Sequence, residues 1–176
     1  VRKVEVEQNK GFGNKENPLL FSIRSGARIS MPGMMDTVLN LGLNDEVVLG
    51  LAKQSQSERF AWDSYRRFIQ MFGNVVLDID HDAFEDKLTE LKKKNNYKTD
   101  TELTVADLQT LVSVFKEIIK QEEKPFPQDP NQQLQMAIGA VFKSWNGDRA
   151  IKYRQINKIP HEWGTAVNVQ AMVFGN

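Results

Sequence analysis

Arginine and glycine residues stand close together near the start of the chain, at the end of a short apolar run. Arg24 and Arg28 flank Gly26, and Gly33 follows a few residues later. A guanidinium can bind two phosphate oxygens at once, and glycine lets backbone N–H groups approach an anion closely. The pattern is typical of a small phosphate site. An ordinary turn that carries surface arginines gives the same pattern, and these residues alone favour that second interpretation.

The segment that follows adds a carboxylate at Asp36 and a hydroxyl at Thr37, and it holds three of the six methionines: Met31, Met34 and Met35. Pro32 and Gly33 indicate a loop. Methionine commonly fills irregular gaps in a core. A mobile lid that closes its soft side chains over a ligand explains the same residues, so both interpretations stay open.

A third candidate lies in a helical stretch, at Asp63, Arg66 and Arg67. With about 100° of rotation per residue, Arg67 points away from the apolar stripe and Asp63 lies on the same side as Arg67. The simple interpretation is an exposed ion pair between residues four apart, worth about 0.3–0.5 kcal/mol.

The last apolar stretch alternates in character, with Asn168 and Gln170 between valines. This period of two predicts a strand. One of its faces is either wetted by solvent or lines a pocket for a base such as adenine.

Several elements must position these groups. An apolar run at 19–23 predicts a buried strand. Helices are expected from Asp36 or Thr37 to Gly42 and from Asn44 onward. A stronger helix is predicted over 57–72, with Gly73 as the residue that ends it.

Further helices are expected from Asp80, after the capping box of Thr104 and Asp107, over 131–145, and from Asp148 to about 159. The prolines between 125 and 130 must separate two of them. Strands are predicted only near the two ends of the chain, 19–23 and 166–174. We therefore expect an α+β, predominantly helical fold whose missing strands lie either outside this chain or near residues 1–10.

The amino-acid composition argues against several classes of site and partner. The chain has 176 residues, 23 basic and 23 acidic residues, and no cysteine. It therefore has no thiolate nucleophile and no cysteine-based metal site. Zero net charge argues against a nucleic-acid partner, and no apolar run is long enough to span a membrane. Neither His81 nor His161 has metal or triad spacing. The chain lacks an initiator methionine, which suggests a piece of a longer protein.

Long stretches resemble the pyruvate, phosphate dikinase family, in order along essentially the whole chain. The matching motifs are Asn17-Pro18-Leu19-Leu20, Ser22-Ile23-Arg24-Ser25-Gly26-Ala27-Arg28, Ser30-Met31-Pro32-Gly33-Met34-Met35-Asp36-Thr37, Arg59-Phe60-Ala61-Trp62-Asp63-Ser64-Tyr65-Arg66-Arg67-Phe68, Ala140-Val141-Phe142-Lys143-Ser144-Trp145, Arg149-Ala150-Ile151 and Gly164-Thr165-Ala166-Val167-Asn168-Val169-Gln170. The stretch from Arg24 to Thr37 is highly specific.

The resemblance implies an enzyme that interconverts ATP, pyruvate and phosphate with AMP, phosphoenolpyruvate and diphosphate through a phosphohistidine. It implies ATP contacts from Arg24, the loop residues Gly33, Met35, Asp36 and Thr37, Arg67 in preference to Arg66, and the final strand at Val169, Gln170 and Met172. No catalytic or metal residue is expected in this chain. Magnesium is expected as a cofactor, with its ligands outside this chain.

By the same resemblance, residues 1–43 and 127–176 belong to the first subdomain of an ATP-grasp fold, and 44–126 form an inserted helical subdomain. The expected partners are ATP or AMP and the remaining dikinase domains: a second ATP-grasp subdomain, a phosphohistidine domain and a pyruvate-binding barrel. We expect a homo-oligomeric parent in the cytoplasm or an organelle, and an inactive isolated chain. The alternatives are a helical interaction or regulatory module and the nucleotide-binding part of a phosphoenolpyruvate synthase-like dikinase.

Overall fold

A computed structural model of the chain describes residues 1–174 and has the α+β, mostly helical character that was expected. Its helices are α1 (Arg2–Gln8), α2 (Val47–Ser55), α3 (Glu58–Val75), α4 (His81–Asn95), α5 (Val105–Gln121), α6 (Pro130–Ser144) and α7 (Asp148–Ile156). Its strands are β1 (Gly11–Phe12), β2 (Pro18–Leu19), β3 (Phe21–Gly26), β4 (Val38–Leu41) and β5 (Ala166–Ala171). Short 3-10 helices cover Asp100–Glu102 and His161–Trp163.

The main sheet joins the two ends of the chain. β3 is its central strand and pairs antiparallel with both β4 and β5, while β1 and β2 form a separate short parallel pair. The expectation that the partners of the two end strands lie outside this chain or near residues 1–10 is therefore wrong, because these strands pair with each other and β3 also pairs with β4. The last predicted strand residues, beyond Ala171, lie outside β5, and positions 175 and 176 lie outside the described residues.

The predicted short helix ending at Gly42 is also wrong, since β4 occupies that place. Val38 and Leu41 are fully buried where β4 pairs with β3, so these residues belong to a buried strand and not to the apolar face of a helix. The pairing contains a bulge, and Asn40 there has a φ of 58°. Gly42 follows with a φ of 110°, a left-handed backbone that ends the strand.

Side-chain caps lie at the start of several helices, and those at Asn44 and Thr104 were expected from the sequence. Ser57 accepts a hydrogen bond from Phe60 N at the start of α3, and Asp80 accepts one from Asp82 N at the start of α4. Thr104 and Asp107 form the expected capping box of α5. Asn44 accepts from Val47 N before α2. These local bonds satisfy N–H groups that a helix leaves unpaired.

Gly73 does not end α3, contrary to expectation. The helix continues to Val75, and Gly73 is the point where Phe84 of α4 approaches most closely. A Cβ at position 73 would lie 2.5 Å from Phe84 Cζ. The glycine is needed for close packing of two helices, which a local sequence pattern does not reveal.

The ends of other elements also differ from expectation. The polar amino-terminal segment contains α1, which was not predicted. α7 begins at Asp148 itself, with Gly147 as its N-cap, and ends at Ile156 rather than near 159.

One large apolar core runs from the sheet into the helices and includes Phe21, Phe68, Phe115 and Val141. Phe126, in the proline-rich segment, packs against the aromatic rings of α3, with ring centroids 5.9 Å from Phe68 and 5.6 Å from Phe72. Burial of such rings stabilises the fold and fixes the segment that links α5 to α6. The division at 44 and 126 stays a prediction, with α2 to α5 lying between those positions.

Candidate functional site

The register of the sheet places several candidate residues on one face. Arg24 lies directly opposite Asn168, and Ser22 lies opposite Gln170. Since side chains alternate between faces along a strand, Arg24, Asn168 and Gln170 share a face, which we call the outer face. Arg24, Asn168 and Gln170 are all exposed. Val169 pairs with Ile23 and packs its side chain against the core on the opposite face.

The positive charge of Arg24 is also available to an anionic ligand. The arginines that form ion pairs within residues 1–174 are Arg66, Arg67 and Arg149. Arg24 is therefore an unpaired cation there, and an anion that reached it would not have to displace a carboxylate.

A cavity of about 450 Å³ lies beside the sheet and α3. It is lined by Leu39, Asn40, Phe60, Asp63, Ser64, Arg67, Phe68, Met71, Met172 and Phe174. Its walls are mostly apolar, and a few polar groups converge on them. A volume in this range and such a lining are typical of small-molecule sites. The structure thus brings Arg67 of α3 together with Met172, which follows β5.

Neighbouring arginines of α3 have opposite environments. The Arg66 side chain is 4% exposed and Arg67 is 57% exposed. Asp63 lies between them: Arg66 Nη2 donates to Oδ1 at 2.6 Å and Arg67 Nε donates to Oδ2 at 3.0 Å. The expected pair between Asp63 and Arg67 is confirmed. Because Arg67 uses only Nε for it, its two terminal nitrogens can still donate to a ligand.

Asp100 completes the charge network behind Arg66. Partial burial favours the neutral form of this carboxyl, but the hydrogen bond from Lys92 at 2.8 Å and the charge of Arg66 outweigh that effect. Together they hold the pKa of Asp100 below its ordinary value. Asp63 and Asp100 thereby compensate the buried positive charge of Arg66. The environment of Arg66 therefore suits a structural role.

The methionine loop, residues 31–37, is the second part of the connection from β3 to β4. Met31 is buried in a small second core with Trp145, Ala150 and Ile159, and Met34 and Met35 pack against it. Gly33 at the tip has a φ of 72°. The methionines therefore fill an apolar gap in this structure, the first of the two interpretations of their spacing.

The polar residues of the methionine loop meet α6 and α7. Arg149 Nη2 lies 3.2 Å from Asp36 Oδ1, and Arg149 Nη1 donates to Gly33 O at 3.4 Å. The N–H of Asp36 donates to Ser144 Oγ at 3.2 Å. Thr37 is half-buried at the end of the loop, directly before β4, whose Leu39 lines the cavity.

The residues singled out in the sequence thus fall into three groups: Arg24 with Gln170 on the sheet, Arg67 with Met172 at the cavity, and Gly33 with Asp36 in the methionine loop. Sequence reasoning missed Asn40, because the strand bulge that contains it was expected to be a helix. It lines the cavity, and its buried Oδ1 has no hydrogen-bond partner within the described residues. Arg149 and Ser144 were noted only as parts of matching motifs, since no local spacing signals their contact with a loop more than a hundred residues earlier.

The family described as "Pyruvate phosphate dikinase, AMP/ATP-binding domain" matches residues 1–176. The chain belongs to this family. Within residues 1–174, no helix is long and apolar enough to cross a membrane.

Several pyruvate, phosphate dikinases are similar to the chain over its whole length. A chloroplastic one from Mesembryanthemum crystallinum is 58% identical over 100% of the chain and 18% of its own length. Those from Giardia intestinalis and Rhizobium meliloti are each 55% identical over 100% of the chain and 20% of their own lengths. The chain therefore spans about a fifth of these relatives.

Proposed function

We propose that this chain is the nucleotide-binding part of a pyruvate, phosphate dikinase, and that it binds ATP on the outer face of its sheet and in the adjoining cavity. The observation that carries the proposal is that a member of this family has an exposed arginine on its sheet, a cavity of nucleotide-compatible size beside the sheet and α3, and a glycine-containing loop between β3 and β4.

Arg24 and Arg67 are proposed to bind the phosphates. A triphosphate carries several negative charges, and guanidinium groups offer paired donors for its oxygens. Within residues 1–174, Arg24 forms no ion pair with a carboxylate, and Arg67 contacts Asp63 through Nε, which leaves its terminal nitrogens for a ligand. Arg66 is a poor candidate because it is buried and held by Asp63.

The cavity and the final strand are proposed to receive the adenine. Met172 lines the cavity together with aromatic and apolar side chains that suit a flat base. Gln170 adds a polar group on the outer face. Val169 turns its side chain to the core, so its proposed role is limited to the backbone.

Gly33, Met35, Asp36 and Thr37 are proposed to lie over the phosphates. Gly33 has a positive φ, and no atom of the described residues lies within 4 Å of where its Cβ would be, so the tip of the loop is open. Backbone N–H groups in such turns can bind an anion. A loop in this position would exclude water from phosphoryl transfer.

At a larger scale, we infer that residues 1–43 and 127–176 form part of an ATP-grasp subdomain around an inserted helical subdomain. The other domains of the parent would carry the phosphohistidine, bind pyruvate and supply the ligands of magnesium. The metal would neutralise phosphate charge there. Within residues 1–174, the carboxylates and histidines form no cluster suited to a metal ion. The proposed overall reaction converts ATP, pyruvate and phosphate to AMP, phosphoenolpyruvate and diphosphate, reversibly.

Calorimetric titration of the chain with ATP and magnesium tests the binding. Weak saturable binding is expected, and Arg24→Ala should lower the affinity about ten- to a hundredfold, as expected for loss of a charge-assisted bond. Lys120→Ala, at the exposed end of α5, is the matched control and should bind like the unaltered chain. Equal affinities for all three proteins would overturn the placement of the phosphates.

A coupled phosphoenolpyruvate assay tests the role of the other domains. The isolated chain should show no sustained turnover, because phosphoryl transfer needs the arginines, the metal and the acceptor together. In the complete enzyme, Arg24→Ala should strongly reduce ATP-dependent phosphorylation of the histidine. Sustained turnover by the pure chain, or unchanged phosphorylation in the variant, would contradict the proposal.

A further inference from the structure

The corner between α6 and α7 holds the methionine loop by charged and polar contacts. Arg149, in the first turn of α7, bridges two points of the loop, the Asp36 carboxylate and the Gly33 carbonyl. A single planar guanidinium with two nitrogens on two loop residues fixes both the position and the orientation of the loop tip. Arg149 is largely exposed, while the Asp36 carboxylate is mostly covered.

Ser144 adds a second attachment at the last residue of α6. Its hydroxyl accepts the Asp36 N–H at 3.2 Å and donates to Val141 O at 2.7 Å. The hydroxyl is therefore oriented by the helix to which it belongs. Backbone and side chain of Asp36 are both held, each by a different helix.

A buried arginine supports the surface beneath the loop. Arg154 is 1% exposed, its guanidinium lies 3.9 Å over the Trp145 ring, and it donates to Trp145 O and to His161 Nδ1. Trp145 Nε1 donates to His161 O at 3.3 Å. The indole is thus fixed from both sides, and Met31 of the loop packs in the same cluster.

The charges indicate what Asp36 does. A free carboxylate close to a triphosphate would be repelled by it. The salt bridge to Arg149 compensates the negative charge of Asp36 and engages its Oδ1 atom in attaching the loop. Asp36 is therefore better suited to attach the loop to α7 than to contact phosphate directly.

We propose that Arg149 is a positioning residue, which acts through Asp36 to hold the methionine loop in the conformation that receives the nucleotide. The role in nucleotide binding rests on the proposed function, whereas the attachment of the loop does not. Arg149 itself does not contact the ligand. Without it, the loop tip is released while the buried Trp145 cluster stays folded.

Hydrogen exchange of the loop peptide without nucleotide tests the attachment in the full chain. In Arg149→Ala, the amides of residues 33–37 should exchange about three- to fivefold faster, the effect expected for loss of a partly exposed ion pair. Lys152→Ala, an exposed cation on the same helix, is the matched control and should leave this exchange unchanged. No change in Arg149→Ala, or an equal change in the control, would overturn the proposal.

A charge exchange separates a specific contact from general loosening. The double variant Asp36→Arg with Arg149→Asp restores opposite charges, and an acidic residue in the first turn of α7 suits the helix dipole. It should regain slow loop exchange relative to each single variant. Failure to regain it, with both single variants folded by circular dichroism, would contradict the contact as the cause.

Nucleotide titration of the same variants tests the positioning role. Arg149→Ala should weaken ATP binding about three- to tenfold, and adding Asp36→Ala should cause little further loss, because the two residues act as one unit. A much larger loss in Asp36→Ala than in Arg149→Ala would make Asp36 a direct ligand and overturn the inference. If the unaltered chain bound no nucleotide, the proposed function would fail, while the exchange experiment would still decide the attachment of the loop.

Discussion

At the scale of single residues, the environments of Arg66 and Arg67 explain why identical side chains next to each other can have different roles. Arg66 is enclosed and shares Asp63 and Asp100 as counter-ions. Arg67 contacts Asp63 from the surface and lines the cavity. A buried charge depends on its partners far more than an exposed one does.

Asp63→Ala should therefore lower the free energy of unfolding by about 3 kcal/mol, because it leaves Arg66 buried with only Gln70 and the longer contact to Asp100. Arg67→Ala is the matched control and should cost about 0.5 kcal/mol or less. Urea denaturation of both variants measures the difference. Equal losses would mean that Arg66 is not held mainly by Asp63.

The lowered pKa of Asp100 predicts a pH dependence with a definite sign. Since the folded pKa lies below the unfolded value of about 3.9, this carboxylate stabilises the fold fully above that value. The contribution is lost as the pH falls through the folded pKa. Asp100→Asn should be less stable than the unaltered chain at pH 6, and the difference should shrink below about pH 4.

Urea midpoints measured between pH 6 and pH 3 check this expectation. Asp86→Asn, which changes an exposed carboxylate of α4, is the control. A difference between Asp100→Asn and the unaltered chain that grew on acidification would reverse the assigned sign.

At the scale of elements, glycines inside helices differ in the space that surrounds them. Alanine is normally the better helix residue by about 1 kcal/mol. Gly73 of α3 faces Phe84 at a distance too short for a Cβ, whereas among residues 1–174 nothing lies within 4 Å of a Cβ at Gly139 of α6. At position 73, the packing of α3 against α4, rather than helix propensity, decides which residue is tolerated.

Gly73→Ala should accordingly destabilise the chain by about 1–3 kcal/mol, as overpacking does, while Gly139→Ala should stabilise it by about 0.5–1 kcal/mol. Thermal or urea unfolding of the two variants gives the two signs directly. A gain in stability in Gly73→Ala would show that Phe84 can move aside without cost.

At the scale of the whole molecule, Gln133 of α6 ties distant parts of the chain together. It is fully buried; its Oε1 accepts from Gly42 N, and its Nε2 donates to Leu43 O and Pro127 O. The end of β4, the proline-rich segment and α6 are thus joined by one carboxamide. All of its bonds are made, which is the condition for a polar group to stabilise a core.

Gln133→Leu should lower the free energy of unfolding by about 3 kcal/mol, because it leaves a buried N–H and buried carbonyls without their partner. Gln132→Leu, at the exposed neighbouring position, is the control and should change stability by about 0.5 kcal/mol or less. Urea denaturation followed by tryptophan fluorescence measures both. A Gln133→Leu variant as stable as the control would show that water replaces the lost bonds.

The sequence alone determined the helical character of the chain, because caps and apolar stripes are local and are satisfied within a few residues, as at Ser57, Asp80 and Thr104. It also indicated the arginines, the loop and the final strand as candidate ligand groups, since residue type limits the chemistry that is available. Helical geometry predicted only in part that Arg67 is exposed and Arg66 is buried. It did not predict that Asp100 is a counter-ion of Arg66.

Only the tertiary structure decided that β4 is a strand, that β3 pairs with β5 from the other end of the chain, and that Gly73 is a packing contact. It also decided that Asp36 is held by Arg149 and Ser144. These features share one physical cause. Each depends on atoms brought together from distant parts of the chain, where pairing and close packing override the local preferences of the residues involved.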